Sequence, residues 1–269
     1  MDDEFYTPFK TVAEELDHYK FTGKRVFCPC DGPDSAFVKY FERIGVPVTW
    51  RKYTPPANLF GESVKDESRD FEVDDEFWEK LNNCDIVVTN PPFSKSRVFF
   101  DYVRKSGKKF LFLASYMFGG YKAPFEEIRA GRMWGGYNNN YEIYFFRPGG
   151  ERRRVVCSWY TNIPHPFPKF RAANGYTCET LKAAGKWKFY DDEEILYLES
   201  AKDLPSDYFG AFAVSQCSIY HFCNPKEFEI IGMKKGRVQG EEVFPRVVVK
   251  RADSFLPPRD EPLVFDFMY

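Results

Sequence analysis

The feature that most constrains the fold is a strand–turn–helix–strand unit near the start of the chain. Arg25-Val26-Phe27-Cys28 is a short apolar run of β character that ends in Asp31-Gly32-Pro33-Asp34-Ser35. Ala36, Phe37, Tyr40, Phe41 and Ile44 then recur at helical spacing, Gly45 closes that helix, and Val46-Pro47-Val48-Thr49-Trp50 returns to a strand pattern. Two strands joined through a helix make a crossover, and crossovers build parallel sheets. The unit predicts a doubly wound α/β sheet with ligands at the carboxyl ends of its strands.

The alternation continues. Residues 77–81 read as helix, Asp85-Ile86-Val87-Val88-Thr89 as a buried strand, 98–103 as helix, 109–114 as strand and 123–129 as helix. Upstream, Phe5-Tyr6-Thr7-Pro8-Phe9 reads as a loop feeding a helix that Gly23-Lys24 breaks. From about residue 141 the texture changes, and 141–146, 155–160, 195–198, 228–231 and 246–249 favour β structure. The 269 residues, 43% hydrophobic and 29% charged, suffice for one large domain or a domain with a smaller companion. That balance excludes collagen-like, coiled-coil and wholly disordered chains. No apolar run is long enough to span a membrane. Met1-Asp2-Asp3-Glu4 does not open a secretory leader, and seven cysteines at irregular spacing suit reduced thiols, so a cytoplasmic location is expected. Cys28-Pro29-Cys30 has no second pair at zinc-ligand spacing and His is scarce, so no metal site is expected.

One tetrapeptide carries chemistry. Asn90-Pro91-Pro92-Phe93 directly follows the strand at 86–89. Two prolines and an aromatic there predict a rigid extended turn that fixes the Asn side chain and the Pro91 carbonyl over the sheet edge. An amino group needs one acceptor for each N–H, and Asn90 Oδ1 with the Pro91 C=O supplies two. The Phe93 ring offers a planar heterocycle a face to stack on. The arrangement orients an exocyclic amine lone pair toward an electrophile.

The Asn-Pro-Pro-aromatic signature after a strand resembles that of S-adenosylmethionine-dependent amino methyltransferases, and the chain as a whole resembles the EcoRI-type adenine methyltransferases. Tyr6-Thr7-Pro8 is similar to the element preceding the cofactor site in that family, and residues 26–33, with Cys30, Asp31 and Gly32, occupy the place of its first cofactor motif. Asp70-Phe71 stands where the family has an Asp-Phe pair that contacts the cofactor adenosine. Residues 158–162, 204–208 and 224–230 resemble further family segments, and the likeness is firmest over 5–45, 84–135 and 155–232. Two departures stand out: the first motif has the single Gly32 in place of Gly-x-Gly, and Thr49-Trp50-Arg51-Lys52-Tyr53 offers no carboxylate for ribose hydroxyls.

The resemblance implies a Rossmann-like methyltransferase sheet, mostly parallel with an antiparallel hairpin, and a C-terminal β-rich target-recognition region, divided as 1–163 and 164–269. It implies methyl transfer from S-adenosylmethionine to adenine N6 in a specific sequence of double-stranded DNA, with the base flipped out of the duplex. A cognate restriction nuclease is a possible partner. Asn90, Pro91, Pro92 and Phe93 would act on the amine, with Phe93 stacking on the base. Asp31 would pair with the cofactor's ammonium, Tyr6, Thr7 and Pro8 would line its methionine end, and Asp70 and Phe71 would hold its adenine.

Charge is segregated although the net is only −2: residues 62–85 carry ten acidic against three basic side chains, 147–189 nine basic against two acidic, and 234–251 six basic against two acidic. Arg152-Arg153-Arg154 and Lys234-Lys235-Gly236-Arg237 are the first candidates for phosphate contacts. An RNA adenine or a protein glutamine amide would suit the same pair of acceptors, and a non-catalytic nucleic-acid-binding homologue is the remaining alternative.

Overall fold

A computed structural model describes residues 6–52, 73–138, 142–146, 150–166 and 176–252. The chain divides into two compact units, Met1–Lys169 and Phe170–Tyr269.

In the first unit the apolar runs become strands buried on both faces. β1 (Val26–Cys28), β3 (Ile86–Thr89) and β4 (Lys109–Ser115) sit at the middle of a seven-stranded sheet, and β2 (Val48–Trp50) closes one edge. The order is β2-β1-β3-β4, all parallel. β7 (Arg152–Thr161) then adds antiparallel to β4 and carries β6 (Glu142–Phe146) and β5 (Trp134–Gly135) as antiparallel partners.

Alternation along the central strands splits the core into two layers. Val26, Val88, Leu111 and Trp159 pack with Val12 and Leu16 of α1 (Phe9–Leu16) and Phe37 and Phe41 of α2 (Ala36–Arg43). Phe27 and Phe112 point the other way. Phe27 meets Phe77 of α3 (Asp75–Asn83) edge-on at 5.8 Å, and Phe112 meets Phe99 of α4 (Ser96–Lys105) at 5.5 Å. The high Phe content fills this second layer with edge-to-face rings, each pair adding to simple burial. α5 (Lys122–Arg129) follows β4. Helices α2 and α3 start at side-chain caps: Ser35 Oγ accepts from Val38 N at 3.2 Å, and Asp74 Oδ1 from Phe77 N at 2.8 Å.

The second unit is a five-stranded sheet of order β11-β12-β10-β9-β8, preceded by α6 (Cys178–Ala183). Its strands are β8 (Lys188–Phe189), β9 (Leu196–Tyr197), β10 (Phe212–Ser215), β11 (Phe228–Val238) and β12 (Glu241–Arg251). The last two run well beyond the predicted 228–231 and 246–249, because cross-strand pairing holds polar residues in a hairpin that apolar patterning alone does not mark. No helix among the described residues is long and apolar enough to cross a membrane. All seven cysteines are free thiols.

Candidate active site

The strand order creates a switch point. The chain leaves β1 for β2 on one side and returns to β3 on the other, so the crevice for a ligand lies outside the carboxyl ends of β1 and β3. The loops at 29–35 and 90–95 emerge there. Thr89, the last residue of β3, is fully buried. Its hydroxyl donates to Asp31 Oδ2 at 2.6 Å and accepts the Cys30 N–H at 3.2 Å. The Asn90 backbone N–H and the Ser35 hydroxyl also donate to Asp31. Asp31 is 7% exposed. Burial pushes its carboxyl up to about 7, against the opposing pull of those three hydrogen bonds. A carboxyl held this way gains most from a cationic ligand group, which restores the ionised form.

A cavity of about 440 Å³ opens beside it. Of the residues singled out in the sequence, Tyr6, Thr7, Pro8, Cys30, Asp31, Gly32, Asn90 and Pro92 line it together. Ser35, Lys39, Lys52 and Phe146 are among the other wall residues. Asn90 Oδ1 is out of solvent. Thr7 Oγ1 is also buried and makes no hydrogen bond to any described residue. Pro91 is buried and Phe93 half-buried, and neither is part of the wall. The Phe93 ring instead packs edge-on against Phe145, centroids 6.3 Å apart, at the margin of the core. Cys30 keeps its proton, because burial pushes its thiol well above the usual range. Asp70 and Phe71 lie outside the described residues. At the end of β2, Arg51 binds Asp74 at 2.8 Å and Lys52 reaches the cavity.

The opposite wall comes from α1 and the β6–β7 hairpin. Tyr6 and Phe146 exchange both backbone hydrogen bonds, at 2.8 and 2.9 Å, and their rings are 51% and 41% exposed. Further along α1, Glu15 is fully buried. It accepts from Tyr19 Oη at 2.5 Å and from the N–H groups of Tyr137 and Asn138 at 2.8 and 2.7 Å. A Cβ at Gly136 would collide with Glu15 and Trp159, so only glycine lets the chain pass this close. Sequence reading does not single out Thr89, Ser35, Phe146 or Glu15. The one legible signal is Thr89, a hydroxyl closing an otherwise apolar strand.

The basic candidates fall into two groups. Arg152, Arg153 and Arg154 lie exposed on β7, opposite Phe146, Phe145 and Tyr144, and the Arg152 guanidinium sits 3.9 Å over the Tyr144 ring. On β11, Lys234 is drawn inward by Asp192 at 2.8 Å and by Glu193. Lys235 pairs with Glu242 at 3.3 Å across the hairpin, and Arg237 is exposed.

Comparison with known proteins settles the relationship. A family model described as Adenine-specific methyltransferase EcoRI matches residues 1–54 and 62–254. The chain belongs to the adenine-specific methyltransferase EcoRI family. It is 28% identical to Type II methyltransferase M.EcoRI of Escherichia coli, over 92% of this chain and 93% of that protein. It is also 28% identical to Type II methyltransferase M.MgeORF184P of Mycoplasma genitalium (85% and 82%) and to Type II methyltransferase M.MpnI of Mycoplasma pneumoniae (85% and 81%). No solved structure matches the chain. In this member of the family, residues 6–8, 30–32, 90 and 92 line one cavity at the switch point of the sheet.

The cavity suits S-adenosylmethionine on three counts. Its volume falls in the range of small-molecule sites, roughly 300–1,000 Å³. It offers one near-buried carboxyl for an ammonium. It holds the buried Thr7 hydroxyl, which has no hydrogen-bond partner among the described residues and can serve a polar ligand atom.

Proposed function

We propose that the protein methylates the N6 amino group of adenine in a specific sequence of double-stranded DNA, with S-adenosylmethionine as donor. The observation that carries the reading is the link between Asp31 and Asn90: the carboxyl accepts the Asn90 N–H, and both residues face the same cavity. A cofactor anchor and a candidate amine acceptor are therefore fixed to one another.

S-adenosylmethionine supplies, when bound, a methyl group already activated by a sulfonium centre. The chain's own residues have the remaining tasks of binding and orientation. Asp31 pairs with the ammonium end, and Thr7 with Tyr6 and Pro8 bounds the neighbouring wall. Asn90 Oδ1 and the Pro91 C=O accept the two N–H bonds of adenine N6. Those bonds draw the nitrogen from planar toward tetrahedral and free its lone pair, so direct displacement needs positioning more than acid–base help. The base must leave the duplex to arrive there. The aromatic face that the cavity wall offers it is that of the half-exposed Phe146, while the motif's Phe93 packs edge-on against Phe145 beside the core. Asp70 and Phe71 are assigned to the cofactor adenine, and Arg152, Arg153, Arg154, Lys235 and Arg237 to DNA phosphates, while Lys234 is held inward by Asp192 and Glu193. In this reading the first unit is catalytic and the second recognises DNA.

The test is transfer of labelled methyl from S-adenosylmethionine to duplex DNA, RNA and total protein in parallel, followed by nucleoside analysis. N6-methyladenine in DNA alone is the expected product. Label appearing in RNA or protein, or in no acceptor, overturns the assignment.

A further inference from the structure

In the second unit one face of the sheet carries a buried cluster, and the β11–β12 hairpin carries exposed side chains, Met233 and Phe244 among them. Inside, Tyr190, Ile195, Ala213, Val238 and Val248 form a cluster. The β11–β12 turn is pinned from that side. The Asp191 N–H donates to the Arg237 C=O at 3.0 Å, and the Asp191 carboxylate accepts from the N–H groups of Gln239 and Gly240 at 2.8 and 2.9 Å. Gln239 and Gly240 both have positive φ, 54° and 82°, the geometry of a tight two-residue hairpin turn.

Side chains alternate across the hairpin. Val238 and Val243 face the cluster, and Gly236 lies against the Tyr190 ring. Lys234 turns inward to Asp192 and Glu193, so its charge is satisfied within the unit. Met233, Lys235 and Arg237 are exposed, and so is Phe244 on the partner strand, where the register shifts between Lys234 and Gly236. Met233 is 42% exposed, and Phe244 at 90% is the most exposed large apolar side chain among the described residues. A phenylalanine in mid-strand with almost no covering atoms contributes little to folding. Lys235 forms a solvent-exposed pair with Glu242, which is weak and exchangeable.

We propose that the outer face of the β11–β12 hairpin is the surface that reads duplex DNA, with Phe244 entering a groove and Lys235 and Arg237 on the flanking phosphates. The proposal rests on the DNA-methyltransferase reading above. Two observations commit the face to DNA. Of the six basic side chains in 234–251, Lys235 and Arg237 stand exposed on this face beside the Glu242 that pairs with Lys235, and a phosphate backbone attracts such cations, while Lys234, Arg246, Lys250 and Arg251 are engaged within the unit. A two-stranded ribbon fits the major groove, which is about 12 Å wide. There a phenylalanine finds thymine methyl groups or a base step as its apolar contact. Because the turn is already pinned by Asp191, the ribbon meets the groove preorganised.

The experiment uses the full-length protein. Phe244→Ala, and separately Lys235→Ala with Arg237→Ala, are compared with the parent on two fluorescent duplexes. One carries the methylated site mapped by long-read sequencing, and the other a scrambled site. Phe244→Ala is expected to weaken binding to the site-bearing duplex about tenfold or more, with little change on the scrambled one. Phe244→Leu should retain most of that affinity. The double charge variant is expected to weaken both duplexes and to lower the slope of log Kd against log salt by about 2. S-adenosylmethionine binding should match the parent in every variant, which also verifies folding. Unchanged site affinity in Phe244→Ala, with the parent methylating DNA normally, overturns the hairpin assignment alone. Loss of a dimer on that substitution, read by light scattering, overturns it in favour of a contact between copies. A parent that neither binds nor methylates DNA removes the underlying reading and this proposal with it.

Discussion

The Thr89 hydroxyl donates to the Asp31 carboxyl at 2.6 Å, joining the ends of two parallel strands at the place where the chain reverses its direction of winding. The same oxygen accepts the Cys30 N–H, so one fully buried side chain satisfies both a carboxyl and a backbone donor. Thr89→Val keeps the shape and removes both bonds. It is expected to destabilise the fold by about 1–3 kcal/mol, the cost of leaving buried polar groups unpaired. It should also weaken S-adenosylmethionine binding, because Asp31 loses a bond that favours its ionised form. Urea denaturation and titration calorimetry read the two effects. A variant equal to the parent in both would show that the Thr89 bonds are replaced by water.

Asp31 itself couples stability to pH in an unusual direction. Its carboxyl is pushed up to about 7 in the folded chain from the ordinary 3.8, chiefly by burial. The folded state therefore holds the proton more tightly than the unfolded one. That contribution to stability is full below about pH 4 and is lost as pH rises through about 7. Asp31→Asn should accordingly be the more stable protein at pH 8, by up to a few kcal/mol, with the advantage shrinking toward pH 4. Its binding of S-adenosylmethionine should fall at least about tenfold, since no carboxylate remains for the ammonium. In the parent, cofactor affinity should rise between pH 6 and 8 as the carboxyl ionises. A flat pH profile of affinity in calorimetry would remove Asp31 from this role.

Asn90 offers the sharpest separation of chemistry from binding. Asn90→Ala deletes the side-chain acceptor and leaves the Asp31 bond to the residue-90 backbone N–H in place. Under the proposed function, methyl transfer should drop about 10²-fold or more, as when one preorganised polar contact to a reacting group is removed. Cofactor affinity should stay within about threefold of the parent. Single-turnover transfer and calorimetry distinguish the two, and near-normal turnover would exclude the proposed role.

The parts of this site that depend on local pattern are legible in the sequence, and the parts that depend on long-range packing are not. Helical spacing from Ala36 to Ile44 and the run 86–89 predict α2 and β3, because period and burial act over a few residues. The Asn-Pro-Pro-Phe turn marks its own strand end. Phe93 lies in that readable motif, yet its ring turns to Phe145 on β6, a contact no local pattern encodes. Phe146 reaches the cavity because its backbone pairs with Tyr6, 140 residues earlier in the chain. Strand β10, Phe212–Ser215, passes unnoticed because four residues of mixed character carry no periodicity, although three are buried between neighbouring strands.

Glu15 has the same long-range character. It is a buried carboxylate on α1 that receives the Tyr19 hydroxyl and the backbone N–H groups of Tyr137 and Asn138, while burial raises its pKa. The adjoining contacts reinforce the joint: His18 stacks on Tyr137 with centroids 3.4 Å apart, and Asn138 Nδ2 donates to Glu14 O at 2.6 Å. The other end of α1 follows directly on Thr7 and Pro8 in the cavity wall, so a helix loosened at Glu15 moves that wall. Glu15→Gln turns an amide donor toward groups that are themselves donors. It is expected to cost about 1–3 kcal/mol of stability and to weaken cofactor binding more than it lowers the rate of bound substrate. Gly136→Ala strikes the same joint from the other side, since its Cβ would collide with Glu15 and Trp159. The two changes should therefore be less than additive in denaturant titrations of the single and double variants. Full additivity would mean that the helix and the 136–138 segment are held independently.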